Sequence, residues 1–217
     1  MDTNQINIGY GGFLQFFDGD RADVKQNWFS SKFINYRIDN IDHQVRSAFY
    51  LFKAISEFKR QHPSLAVKLH LHLWGKIEDG NAQLAHDMGI SELVEISGPL
   101  SKIENLKKLE SMDVLFLPME IGKGDSKSLF IPGKVYEYLL LKKPILGIGG
   151  DSDARNLLLE SRAAKVFEPN ATDRIVDYLK YATEDKNNLN FAPNKQLIES
   201  KSFDHLADQL VNVFNQC

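Results

Sequence analysis

The segment Ile131-Pro132-Gly133-Lys134-Val135-Tyr136-Glu137 sets a proline, a glycine and a lysine just ahead of a carboxylate. Pro132 suits the first position of a helix, because the N–H it lacks would have no partner there. The free N–H groups of such a first turn, backed by the aligned peptide dipoles, are ready to hold a phosphate. Lys134 and Glu137 are three residues apart and so share one helical face. The rest of the segment, through Tyr138, Leu139, Leu140 and Leu141, is nearly all apolar. That composition predicts a buried helix, on which a carboxylate needs a partner. A neighbouring Lys or Arg in a structural ion pair would serve, and so would the hydroxyls of a bound ribose. The residues alone leave these two readings even.

Such a helix start can meet a ligand only if the fold brings it to the right edge. The chain alternates short apolar runs with helix-period segments, the pattern of a parallel sheet with helices on both faces. Strands are predicted at residues 6–13, 67–74, 94–97, 114–118, 144–148 and 164–167, with helices at 41–61, 81–88, 101–111, 132–141, 154–161, 172–183 and 203–214. The expected fold class is therefore α/β, a Rossmann-like three-layer domain of about six parallel strands spanning residues 1–217. Ligands of open parallel sheets bind beyond the carboxyl ends of the strands. Four strand-following stretches carry glycine or a helix start there: Gly11-Gly12, Gly98-Pro99, Ile131–Lys134 and Gly149-Gly150. Glycine permits close approach of backbone to ligand, but it also ends strands for purely local reasons.

Two stretches interrupt the alternation. Residues 14–40 are long for a connection and rich in aromatics (Phe16, Phe17, Trp28, Phe29, Phe33 and Tyr36), which predicts an ordered insertion packed over the domain. Residues 119–131 carry Gly122, Gly124, Asp125 and Ser126 and read as a mobile loop.

Composition narrows the function classes. The 217 residues are 43% hydrophobic and 25% charged, with a formal net charge of −3 and Lys and Arg spread along the chain. No basic stripe marks a nucleic-acid partner. Cys217 is the single cysteine, which removes disulfide frameworks and cysteine metal sites and fits a cytoplasmic setting. No apolar run approaches the ~18–20 residues of a membrane span, and the N-terminus lacks the regions of a signal peptide.

Other polar groupings have plainer explanations. His70 and His72 project from one face of a strand but lack a third ligand nearby, so they read as helix–sheet histidines and no metal is expected. Asp18, Asp20 and Asp23 resemble part of a calcium loop with its glycine and final glutamate out of place. Asp151 and Asp153 read as charges at a helix start. Ser30, Ser31, Ser126 and Ser128 show no nucleophile elbow.

The run "FIPGKVYEYLLLKKPILGI", residues 130–148, resembles the family-4 glycosyltransferases of GT-B fold, in which a P-x-K-x-x-E-Y-L helix precedes a K-P-I-L strand. "IGYGG", "LHLWG", "EISGPL", "SMDVLFLP" and the final "FDHLADQLVNVF" follow the same order, so the resemblance extends over residues 6–214. It implies the donor-binding C-terminal half of a retaining, metal-independent and cofactor-free enzyme, with a role in polysaccharide biosynthesis. The donor would be a UDP- or GDP-sugar. Its diphosphate would lie at Ile131, Pro132, Gly133 and Lys134 and be bordered by Gly11 and Gly12. Glu137 would hold the ribose, and Gly98 and Leu100 would meet the base.

The resemblance also implies a separate N-terminal acceptor-binding domain, absent from this chain. The chain alone would then be an inactive fragment, with its last helix loosely packed. The full-length protein would be cytoplasmic, or peripheral to a membrane.

The sequence departs from the family pattern in two further respects. Many members carry a glutamate for the donor sugar eight residues before the one matched by Glu137, where this chain has Leu129. The basic residues that often follow the first strand have only Arg21, Lys25 and Arg46 as candidates. Two other readings share the pattern: half of a nucleotide-sugar epimerase, and a non-catalytic nucleotide-binding or regulatory module.

Overall fold

The computed structural model describes residues 5–16, 47–120, 127–189 and 192–215. Six strands form one sheet: β1 (Ile6–Leu14), β2 (Leu69–Ile77), β3 (Val94–Ser97), β4 (Val114–Pro118), β5 (Ile145–Ile148) and β6 (Ala164–Phe167). All are parallel, in the order β3-β2-β1-β4-β5-β6. The inner strands β4 and β5 are covered on both faces and so read as unbroken apolar runs, VLFL and ILGI. Nearer the edge, β2 alternates: Leu69, Leu71 and Leu73 are buried, while His70 and His72 on the other face are half-buried.

Helices cover both faces. Against one lie α1 (Phe49–Gln61), the single turn α2 (Pro63–Ala66), α3 (Gly80–Asp87) and α7 (Thr172–Glu184). Phe52, Ile55 and Phe58 of α1 and Ile175 and Leu179 of α7 form one core there with Ile8, Leu71, Phe116 and Leu146. On the other face, α4 (Lys102–Glu110), α5 (Gly133–Leu141), α6 (Asp153–Ser161) and α8 (Lys195–Ser200) share a second core. It joins Trp74, Leu115, Leu117 and Ile145 to Leu109, Val135, Tyr138 and Leu158. The result is the expected three-layer α/β fold. In α9 (Phe203–Phe214) no residue is buried; Phe203 is 81% and Phe214 69% exposed.

Several boundaries differ from the sequence reading. Gly11 and Gly12 do not turn the chain, because β1 runs through both to Leu14. Gly75 does not end β2, which continues to Ile77. Gly12 and Gly75 are register partners with φ of 145° and 118°. A Cβ on Gly75 would stand 2.2 Å from the Gly12 carbonyl oxygen, so these glycines serve a close approach of neighbouring strands.

Helix starts shift too. The helix expected from residue 41 is described from Phe49, and residues 41–46 lie outside the described residues. Pro132 sits at the N-cap of α5, one residue before the helix proper. At α6 the cap is Ser152, whose Oγ accepts from the Arg155 N–H at 3.1 Å, and Asp153 is the first-turn acid. The short α2 and α8 and the 3-10 turns Ser91–Leu93 and Lys186–Leu189 have no counterpart in the sequence pattern, being too brief to show a helical period. The insertion expected at 14–40 falls largely on residues 17–46, outside the described residues, as do Asp18, Asp20, Asp23, Arg21, Lys25, Arg46, Ser30, Ser31 and Ser126.

Candidate functional site

The strand order reverses direction between β1 and β4, the place where an open α/β sheet leaves a crevice at its carboxyl edge. A cleft of about 480 Å³ lies there. Tyr10, Phe13 and Gln15 line it from β1 and just beyond, and Leu117, Pro118 and Glu120 from the end of β4. Phe130, Pro132, Gly133, Lys134 and Glu137 come from the start of α5 and the residues before it.

Local sequence explains why α5 offers its first turn. Pro132, with φ −60° and ψ 140°, carries no side-chain acceptor, so no cap occupies the N–H groups of Gly133 and Lys134. Val135 donates to the Pro132 carbonyl at 2.9 Å, closing the turn. The approach to it is tied to α6. Ser128 donates to the Asp151 carbonyl at 3.2 Å, and Asp153 donates to the Ser128 carbonyl at 3.0 Å. Lys127 Nζ lies 2.7 Å from Asp153 Oδ1, and this carboxylate holds the Lys127 ammonium above its ordinary range.

Lys134 folds back over β1. Its Nζ lies 5.6 Å from the centre of the Tyr10 ring, a cation–π distance, and occupies the space that a side chain on Gly12 would take. A Cβ at Gly12 would come within 2.4 Å of that Nζ. Tyr10 donates its phenol to the Phe13 carbonyl at 2.5 Å, and burial pushes the phenols of Tyr10 and Tyr138 up, so both stay neutral.

The expectation of a buried Glu137 was wrong. Val135, Tyr138 and Leu139 face the core, while Glu137 and Leu140 face outward. No hydrogen bond or ion pair joins Glu137 to any described residue, which removes the structural ion pair from consideration among them.

The remaining sequence candidates fall in different places. Gly12 meets the cleft through Lys134. Gly11 is packed away: a Cβ there would strike Asn105 Oδ1 at 2.1 Å and the Trp74 indole, which donates to that same oxygen at 2.7 Å. Ile131 is half-buried against the α4–α6 core. Gly98 and Leu100 are exposed beyond β3, outside the cleft wall, with the Gly98 carbonyl accepting from Gly75 at 3.2 Å. Gly149 donates to the Phe167 carbonyl at 2.9 Å and would meet Met119 if it bore a side chain, so it serves packing. His72 bridges Asn7 Oδ1 and Glu95 Oε2, each at 3.0 Å.

Sequence reasoning missed Tyr10, Phe13, Gln15, Glu120 and Phe130. The aromatics carried no signal apart from strand-typical composition. Glu120 had one, a lone carboxylate two residues past the apolar β4.

No family model matches the chain, and no curated protein matches it. Solved structures do. HepE of Anabaena in complex with UDP is 16% identical, with a TM-score of 0.60 over 99% of this chain and 50% of that one. TarM of S. aureus, in a complex that includes UDP, is 13% identical at TM-score 0.61, over 98% of this chain and 36% of that one. The C-terminal domain of LpcC, a glycosyl transferase group 1 family protein of Francisella tularensis, is 10% identical at 0.51, over 94% and 86%. The chain thus spans half or less of the length of the first solved structures it matches. It has the Rossmann-like α/β fold that these GT-B glycosyltransferases share across the matched region.

Proposed function

We propose that the cleft between β1, β4 and α5 binds a nucleoside-diphosphate sugar, and that the chain serves as the donor half of a glycosyltransferase. The observation that carries this reading is the meeting of an uncapped helix start, Lys134 and Glu137 in one crevice at the sheet's switch point. The helix start and Lys134 together supply N–H donors and charge for a diphosphate. Glu137, one turn on and unpaired among the described residues, suits ribose hydroxyls. Solved structures of similar fold include one with UDP-glucose bound, which supports the same ligand class.

In transfer, the same N–H groups and Lys134 would stabilise the leaving diphosphate as charge develops on it. The proposed reaction proceeds with retention at the sugar and without a metal, as the family resemblance implies. An acceptor domain outside this chain completes the site, a view supported by the exposed apolar residues of α9. Among the described residues no helix is long and apolar enough to cross a membrane; the proposed setting is cytoplasmic.

Leu129 favours a second reading, a nucleotide-binding module without catalysis. It is 75% exposed and contributes nothing to the cleft wall. Titration calorimetry with UDP and GDP tests both readings, since each requires binding and a protein that binds neither excludes them together. Transfer from UDP-glucose or GDP-mannose after an acceptor domain is supplied distinguishes the enzyme from the module.

A further inference from the structure

The strand order ends at β6, so among the described residues its outer side has no strand beside it. Ile145 donates to the Ala163 carbonyl and Gly149 to the Phe167 carbonyl, each at 2.9 Å, so this stretch bonds to β5 through its odd-numbered residues. By the alternation of a strand, the N–H and C=O groups of Ala164 and Val166 point the other way, and no described residue bonds to them. A groove of about 450 Å³ runs along this edge, lined by all four residues of β6 and lying between α6 and α7. Its flanks are apolar: Leu159 of α6, 46% exposed, on one side, and Tyr178 of α7 with Leu189 on the other.

Three cations, Arg162, Lys165 and Arg174, line the groove, and no carboxylate does. None of the three is paired with a described acid, in a chain whose net charge is −3. Helix stability explains only Arg162, which caps the C-terminus of α6. Arg174 stands in the first turn of α7, where the helix dipole disfavours a cation, and lies 5.7 Å from the centre of the Phe167 ring. A lysine on an edge strand also guards against unwanted pairing. One guard, however, needs neither two flanking arginines nor an apolar trough.

We propose that this edge is a docking surface for an extended, acidic segment of another protein, which adds as a seventh strand beside β6. Its backbone bonds to Ala164 and Val166, its carboxylates meet the three cations, and its apolar side chains enter the trough. A second copy of this chain does not suit the edge, because pairing through it would set these cations against one another.

Fluorescence anisotropy on the whole chain tests this with a labelled seven-residue peptide that alternates glutamate with valine. The peptide should bind, more weakly as salt is raised. Its backbone N-methylated version and a lysine–valine counterpart should bind at least about tenfold more weakly, and so should the glutamate peptide to the double variant Arg162→Glu, Arg174→Glu. Equal binding of the N-methylated peptide overturns strand addition, and so does binding of phosphatidylglycerol vesicles where the peptide fails. Either result leaves an unspecific anionic contact.

Hydrogen exchange on the wild-type chain decides should the double variant fail to fold. The peptide should slow exchange at the Ala164 and Val166 amides and leave Gly133 and Lys134 at the cleft unchanged. Unaltered exchange at β6 overturns the proposal. So does a peptide that does not bind, and aggregation of Lys165→Gln would then assign the edge a guarding role alone.

Discussion

Glu137→Gln separates ligand recognition from folding because the structure leaves this carboxylate outward-facing and unpaired among the described residues. The amide keeps the size and much of the polarity, so unliganded stability should change by less than about 0.5 kcal/mol, as for other exposed positions. For a chain of this length that is roughly 1–2 °C in melting temperature. Nucleotide affinity should respond differently. If Glu137 accepts two ribose hydroxyls, losing its charge should cost about 1.5–3 kcal/mol, the range for hydrogen bonds to charged groups. That corresponds to roughly ten- to over a hundredfold in Kd for UDP or GDP. Thermal melts without ligand and calorimetric titrations with it, on wild type and variant, supply both numbers. A fall of many degrees with Kd intact would refute the reasoning, since it would mean that Glu137 holds the fold together and leaves the ligand alone.

Further outcomes follow from the strand glycines and from one helix cap. Gly12→Ala strains a residue at φ 145° and drives a methyl group against Lys134 Nζ. It should cost about 1–3 kcal/mol in urea unfolding and weaken UDP binding by displacing the ammonium; unchanged UDP affinity would separate Lys134 from the site. Gly75→Ala meets unyielding backbone 2.2 Å away at φ 118°, so its melting temperature should fall further than that of Gly12→Ala, and an equal or smaller fall would refute the close-approach account.

At α4, the Glu104 carboxyl lies below its usual range because the side chain and backbone N–H of Ser101 hold it in a capping box. Its folded pKa is depressed, so the stability it adds is present above the unfolded value of about 4.3 and is lost as pH falls through the folded value. Glu104→Gln should therefore flatten the acid limb of a melting-temperature profile while changing its neutral plateau little, and an unaltered acid limb would exclude the carboxylate.

The layers of this fold were legible in local patterns. Apolar runs of four or five residues at β4 and β5, and three- and four-residue spacing along α1 and α7, reflect contacts that each element makes with a whole face of its neighbours. Such periodicity survives without knowledge of the partners. The Pro-Gly-Lys start of α5 was likewise readable, because a helix terminus is a local event. What the tertiary structure decided is which groups meet.

Gly11 and Gly12 look like a turn in isolation, yet pairing with β2 draws the strand through them to Leu14. Glu137 looks buried on an apolar helix, and only the packing of Val135, Tyr138 and Leu139 turns it outward. Tyr10, Pro118 and Lys134 come from β1, β4 and α5, elements far apart in the chain, and converge because the sheet order places β1 beside β4. That adjacency depends on non-local strand pairing, which no window of sequence contains.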